Sequence, residues 1–156
     1  MSDLPEELIR EATRCLTIRD IILHEARFER GDLVLETGNA FQQHKLQTKF
    51  GVSRQDGAED GNPDLLQVMV MLGTQVVPTQ DADQRDFLFR IEADFVAEYS
   101  IDGCPSDESV QAFAKYNAVH NVWPFWRQHL FDVVNRARLP QLAVPLMSGV
   151  KPKPLE

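Results

Sequence analysis

The stretch NVWPFWRQHLFDVVNRARLPQLAVP, residues 121–145, decides the fold of this chain. It begins as an amphipathic helix, because its apolar residues recur at steps of three and four and therefore share one helix face. These residues are Trp123, Trp126, Leu130, Val133, Val134 and Ala137. Asn121 is predicted to cap the helix and Pro140 to end it. Such an apolar stripe is stable only against a partner surface, and the preceding strands are predicted to provide one.

Four segments before this helix have the composition and periodicity of β-strands. They are residues 15–28, 45–53, 65–77 and 87–99. The fourth segment alternates most regularly, with apolar side chains on one face and mostly charged side chains on the other. At ~3.3 Å per residue it would span roughly 43 Å, which is long for a small domain, so the sheet is expected to continue into a partner subunit.

Helices are predicted on both sides of the strands. One is a short helix at residues 4–14, and another begins at Ser106, ahead of the helix that starts at Asn121. This order predicts an α+β domain, in which a four-stranded antiparallel sheet is covered on one face by two C-terminal helices. Residues 1–146 are predicted to form a single domain and residues 147–156 a flexible tail.

The charge of the chain limits its possible partners. Acidic residues outnumber basic residues by 24 to 16, which gives a formal net charge of −8. Such a surface disfavours nucleic acid and attracts basic ligands. No apolar run has the length of a membrane span, so we expect no membrane insertion and a cytoplasmic protein. Cys15 and Cys104 show no metal-binding spacing and are predicted to be reduced thiols.

Motifs for catalysis are missing from the sequence. It has no glycine-rich phosphate loop, serine elbow or cysteine metal motif, so neither enzymatic activity nor a cofactor is predicted. His129 and Asp132 are spaced to share a metal ion, but no third ligand is nearby, and a surface pair is the preferred interpretation. The methionines and aromatic residues form a generous apolar surface for a two-layer domain, which suits loose recognition of unfolded segments.

Several motifs resemble the SecB family of protein-export chaperones. WPFWR at residues 123–127, VVNR at 133–136 and LPQLAVP at 139–145 are similar to the C-terminal core of that family. FLFRI at 87–91 resembles the fourth strand of the family, and YSI at 99–101 resembles the end of that strand. LTIRDI at 16–21 resembles the first strand of the family. The resemblance implies an ATP-independent chaperone that forms a homotetramer, a dimer of dimers. It would bind unfolded precursor proteins in apolar grooves, keep them competent for translocation and pass them to the SecA motor.

Three sets of residues follow from this resemblance. The groove for unfolded polypeptide, chosen from amphipathicity, is predicted at Leu46, Phe50, Met69, Met71, Phe113, Tyr116, Trp126, Leu142, Val144 and Leu146. The tetramer contacts are predicted at Phe89, Ile91 and Ala93. The sheet surface that would face SecA is predicted at Asp20, Leu88, Arg90 and Glu92.

The sequence also departs from the SecB pattern. Arg90 stands where the family usually has an acidic residue, and Ala137 replaces a common glycine. Three hypotheses are therefore kept. The first is a SecB-type export chaperone. The second is a SecB-like chaperone of another client, for example an antitoxin, without SecA coupling. The third is a small-molecule-binding or enzymatic domain on a similar α+β frame, since a fold does not determine a function.

Overall fold

The computed structural model describes residues 5–31, 41–53, 64–78 and 87–139. They form, in chain order, α1 (Glu6–Cys15), β1 (Leu16–Arg30), β2 (Phe41–Ser53), β3 (Asp64–Val77), β4 (Phe89–Ile101) and α2 (Asp107–Ala137). The predicted helix stop at Pro140, the groove residues Leu142, Val144 and Leu146, and the tail at 147–156 lie outside the described residues.

The four strands form one antiparallel sheet in the order β1-β4-β3-β2. Strands β2, β3 and β4 follow each other both in sequence and in space, while β1 pairs with the far side of β4. Consequently β1 and β2 are the two edges of the sheet. The predicted fold class, an α+β domain with a four-stranded antiparallel sheet, is confirmed.

The alternation predicted for β4 matches its burial. All six odd-numbered side chains from Phe89 to Tyr99 are at most 4 % exposed, whereas the other face, here called the outer sheet face, is mostly half-buried. The strand lies two residues later than predicted, from Phe89 to Ile101. Pairing with β1 explains its later end, because the ladder continues until the N–H of Asp102 donates to the carbonyl of Cys15 (2.8 Å).

The helical part of the chain differs from the prediction. A single helix of 31 residues, α2, replaces the two predicted C-terminal helices, and the second helix of the fold is the N-terminal α1. The predicted cap at Asn121 was wrong, because its side-chain amide donates to the Tyr99 hydroxyl (2.8 Å) from within the helix. The N-cap is Ser106, whose hydroxyl accepts the N–H of Ser109 (3.2 Å).

The C-terminus of α2 closes with a left-handed residue. Arg138 has φ of 56°, and the N–H of Leu139 donates to the carbonyl of Val134 (3.0 Å). This six-to-one hydrogen bond is that of a Schellman motif, in which glycine is the usual left-handed residue. The chain therefore turns out of the helix directly after Ala137, with arginine in a position that glycine would occupy with less strain.

The chain groups into two compact units, and both draw on the sheet and on α2. Unit 1 comprises Met1–Ile22, Thr48–Val70 and Phe95–Trp123, and unit 2 comprises Leu23–Gln47, Met71–Asp94 and Pro124–Glu156. In unit 1 the rings of Tyr99 and Phe113 meet edge to face, with centroids 4.9 Å apart. In unit 2, Ile91, Trp126 and Leu130 are among the most buried side chains. Whether residues 1–146 form a single domain stays a prediction.

Candidate functional site

Exposed apolar side chains are concentrated on the two edge strands. Nine large hydrophobic residues of the described ranges are exposed, and seven of them lie on β1 or β2. The seven are Ile18, Ile22, Leu23, Phe28, Phe41, Phe50 and Val52. An edge strand also presents unpaired backbone N–H and C=O groups, which are a template for another chain. These strands therefore combine apolar contact with main-chain hydrogen-bonding capacity.

The end of β2 is the most open part of this surface. Phe50 is 43 % and Val52 47 % exposed, and both lie in unit 1. Gly51 separates them, and a Cβ atom at Gly51 would meet no heavy atom within 4 Å. Phe50 and Val52 point to the same side of the strand, because side chains alternate along it. An extended segment placed along this edge would meet two apolar side chains and a free backbone.

Strand β1 is exposed along nearly its whole length. Of its 15 residues only Leu16 is buried and only Ile21 is half-buried. The neighbours Ile22 and Leu23 are 41 % and 49 % exposed, so apolar side chains stand on both faces of the strand. A long edge strand with exposed apolar side chains can pair with another chain, which would cover these side chains.

A chain of polar contacts crosses the outer sheet face within unit 2. The guanidinium of Arg27 donates to one carboxylate oxygen of Glu92 (2.8 and 3.0 Å), whose other oxygen lies 3.8 Å from Arg90. Arg90 donates to Gln75 (3.2 Å), and Gln75 donates to Gln43 (2.5 Å). Residues of all four strands are thus linked. Arg27 and Arg90 thus compensate the charge of Glu92 inside the sheet. The hydrogen bond between Arg27 and Glu92 raises the pKa of Arg27.

The residues predicted for SecA contact fall into different environments. Asp20 is exposed, and its carboxylate accepts the N–H of Ile21 (2.9 Å). Leu88 is only 7 % exposed, whereas Arg90 and Glu92 are half-buried members of the polar chain. Asp94, another acidic residue of β4, is also buried, at 8 % exposure. The structure therefore brings Arg90 and Glu92 together but leaves little free negative charge around them.

The predicted groove and tetramer residues are distributed between surface and core. Phe50 is exposed, while Leu46, Met69, Met71 and Tyr116 are half-buried. Phe113 and Trp126 are buried inside the chain, as are the predicted tetramer residues Phe89, Ile91 and Ala93. Phe50 is the predicted groove residue that also belongs to the exposed apolar residues of the edge strands.

Sequence reasoning missed most of the exposed apolar residues of β1 and β2. The run Ile21-Ile22-Leu23 was a usable signal, because three successive apolar residues place apolar side chains on both faces of a strand. The order of the strands was not available from the sequence, and that order makes these residues part of an edge. Phe125 and Phe131 on α2, 48 % and 39 % exposed, were missed as well.

His129 and Asp132, the pair spaced to share a metal ion, both lie on α2. Burial lowers the pKa of His129, and Asp132 accepts a hydrogen bond from Gln128 (3.0 Å). Residues 5–31, 41–53, 64–78 and 87–139 contain no group of three or more histidine, cysteine or acidic side chains placed to hold a metal ion. Within the same ranges, no helix has both the length and the apolar character that crossing a membrane requires.

The fold of the chain, in contrast to its sequence, is similar to that of a known protein. No protein-family model and no curated protein matches the sequence. Among solved structures, the chain is similar to the SecB-like chaperone Rv1957 of Mycobacterium tuberculosis, determined in complex with a ChAD peptide from the Rv1956 HigA1 antitoxin. The TM-score is 0.73, and the match covers 93 % of this chain and 99 % of that chain. The chain has the SecB-like fold.

The similarity is one of fold, since only 15 % of the residues are identical. The predicted resemblance to the SecB family is thereby confirmed at the level of the fold. Within the SecB-like fold of this chain, the exposed residues of β1 and β2 and the polar chain around Glu92 are the features that bear on function.

Proposed function

We propose that this chain is an ATP-independent molecular chaperone that binds unfolded polypeptide segments. The observation that carries the proposal is the pair of long edge strands with exposed apolar side chains in a SecB-like fold. Unfolded chains expose both apolar side chains and unpaired backbone groups, and an apolar edge strand can contact both at once. The net charge of −8 favours basic apolar segments among them.

The two edges have different roles in this proposal. The open end of β2, with Phe50 and Val52, binds the client, and the half-buried Leu46, Met69, Met71 and Tyr116 are further client contacts. Strand β1 is covered by a second copy of the chain, which removes the hazard of a long apolar edge. Two such dimers form the homotetramer. No reaction is assigned to the chain.

The chaperone proposal is tested by the mass of the protein in solution, measured by light scattering. The expected result is a mass near four times 17.8 kDa that increases when a slowly folding model protein is added in its unfolded state. The same model protein in its folded state is the control and should leave the mass unchanged. A monomer that ignores unfolded chains would contradict both the assembly and the function.

The client and the downstream partner are a separate question. The structural neighbour was determined with a peptide from an antitoxin, which supports a client other than an export precursor. The polar chain on the outer sheet face supports the same choice, because Arg27 and Arg90 compensate the charge of Glu92. We therefore propose a SecB-like chaperone whose client, such as an antitoxin, is not delivered to SecA. Delivery of export precursors to SecA is the alternative.

Replacing Arg90 by glutamate tests the role of this outer face. The wild-type chain is expected to bind purified SecA weakly, and Arg90→Glu to bind it about 1.4- to fivefold more tightly, since one charge pair at a protein surface contributes ~0.2–1 kcal/mol. Biosensor titration at fixed salt measures the change. Arg19→Glu makes the same charge change at an exposed position of β1 and should have little effect. Tight binding by the wild type, unaffected or weakened by Arg90→Glu, would support the export function instead.

A further inference from the structure

Cys15 and Cys104 are far apart in the sequence but meet at one junction of unit 1. Cys15 is the last residue of α1, and Cys104 lies in the loop between β4 and α2. The N–H of Asp102 donates to the carbonyl of Cys15 (2.8 Å). A Cβ atom at Gly103, the residue next to Cys104, would lie 3.5 Å from the sulfur of Cys15. The thiol of Cys15 therefore faces this loop.

The hydrogen bond from Asp102 to Cys15 brings the loop that carries Cys104 against the end of α1. Cys104 follows two residues after Asp102, and both residues lie beyond the end of β4 at Ile101. Gly103, directly before Cys104, has φ of 99° and no side chain. The chain can therefore adjust locally at the point where a cross-link would form.

A second contact holds the loop against α1. Both the N–H and the hydroxyl of Ser106 bond the carboxylate of Glu11, at 3.2 and 3.3 Å. The loop is thus fixed to α1 on both sides of Cys104, at Asp102 and at Ser106. Cys104 is exposed and Cys15 half-buried, and both are free thiols. An oxidant can therefore reach Cys104, and the thiol of Cys15 faces the loop that carries Cys104.

We propose that Cys15 and Cys104 are a reversible oxidation site. They form a disulfide with each other when the chain reacts with a low-molecular-weight disulfide such as oxidised glutathione. The thiolate of Cys104 attacks one sulfur of the reagent, forms a mixed disulfide and releases one glutathione thiolate. The thiolate of Cys15 then attacks the sulfur of Cys104 and releases the second glutathione. Two protein thiols are oxidised to one disulfide and one glutathione disulfide is reduced to two thiols. The site is independent of the chaperone proposal.

Thiol–disulfide titration of the full chain tests this site. After incubation with oxidised glutathione, intact mass spectrometry should show a chain lighter by two hydrogen atoms, with no added glutathione and no cross-linked dimer. Its melting temperature should rise by roughly 5–15 °C and return to the original value on reduction. Because Cys104 is exposed, Cys104→Ser should fold normally, and this variant should lose the temperature shift completely.

The two single variants distinguish the proposed order of events. Cys15→Ser should stop at the mixed disulfide and carry one glutathione on Cys104, whereas Cys104→Ser should react much more slowly. A wild-type chain that accumulates glutathione on Cys104, or that forms a disulfide-linked dimer on a non-reducing gel, would overturn the proposal. So would a temperature shift that persists in Cys104→Ser.

Discussion

Replacing Trp126 by alanine is expected to lower the free energy of unfolding by about 3–5 kcal/mol, the usual cost of truncating a buried tryptophan. Trp126 is 2 % exposed, is among the largest fully buried side chains of the described residues, and stacks on His129 with ring centroids 6.2 Å apart. The truncation would remove most of the apolar contact of this side chain and leave a cavity. Urea unfolding at a fixed protein concentration measures the loss, because assembly makes stability depend on concentration.

The neighbouring residue provides the control for Trp126. Phe125 is 48 % exposed, so Phe125→Ala should change the free energy of unfolding by less than about 1 kcal/mol. The pair also tests the earlier assignment of Trp126 to the client groove. A Trp126→Ala variant that unfolds at the wild-type urea concentration but no longer binds unfolded chains would show a surface role. The burial in the chain predicts the opposite result.

Replacing both Phe50 and Val52 by serine is expected to weaken the binding of unfolded polypeptide roughly ten- to hundredfold. Burying the exposed parts of two such side chains against a client contributes ~1.5–3 kcal/mol, which corresponds to this range of affinities. Both residues are exposed and Gly51 between them has open space, so the fold should tolerate the change. Serine keeps the net charge constant, which separates apolar contact from electrostatic attraction. Fluorescence anisotropy of a labelled unfolded peptide measures the affinity.

The matched control is the same change on the other edge strand. Ile18 and Ile22 are 49 % and 41 % exposed on β1, which we assign to assembly. Ile18→Ser with Ile22→Ser should therefore reduce the mass of the assembly in light scattering, whereas Phe50→Ser with Val52→Ser should leave the mass unchanged. If the β1 variant loses client binding while its mass is unaffected, the roles proposed for the two edges are reversed.

The strands and α1 could be predicted from the sequence with small errors at their ends. Each depends on a local signal, such as the alternation of apolar residues in β4 or the acidic first turn of α1, where Glu6 and Glu7 favour the positive end of the helix. The prediction of a helix start at Asn121 was wrong, although Pro124, which suits a first helical turn, follows it closely. Both lie inside α2, because the buried stripe continues from Val119 to Trp126 and its packing offsets the local cost of an interior proline.

The candidate site was less accessible from the sequence than the fold. Met69, Met71 and Phe50 were recognisable as apolar positions of strands, but an alternating pattern does not say whether a strand is central or at an edge. Arg90 was recognisable as a departure from the SecB pattern. Its contacts with Glu92 and Gln75 join side chains on different strands, so they depend on register.

The sequence by itself determined the α+β class, the four strands, the apolar face of β4 and the SecB resemblance, because periodicity and short motifs are properties of neighbouring residues. Only the tertiary structure decided that β1 and β2 are the exposed edges, that Arg27 compensates Glu92, and that Cys15 lies beside Gly103. These three results depend on which strands pair and in which register. Strand pairing joins residues that are distant in the chain, and no local pattern records that choice.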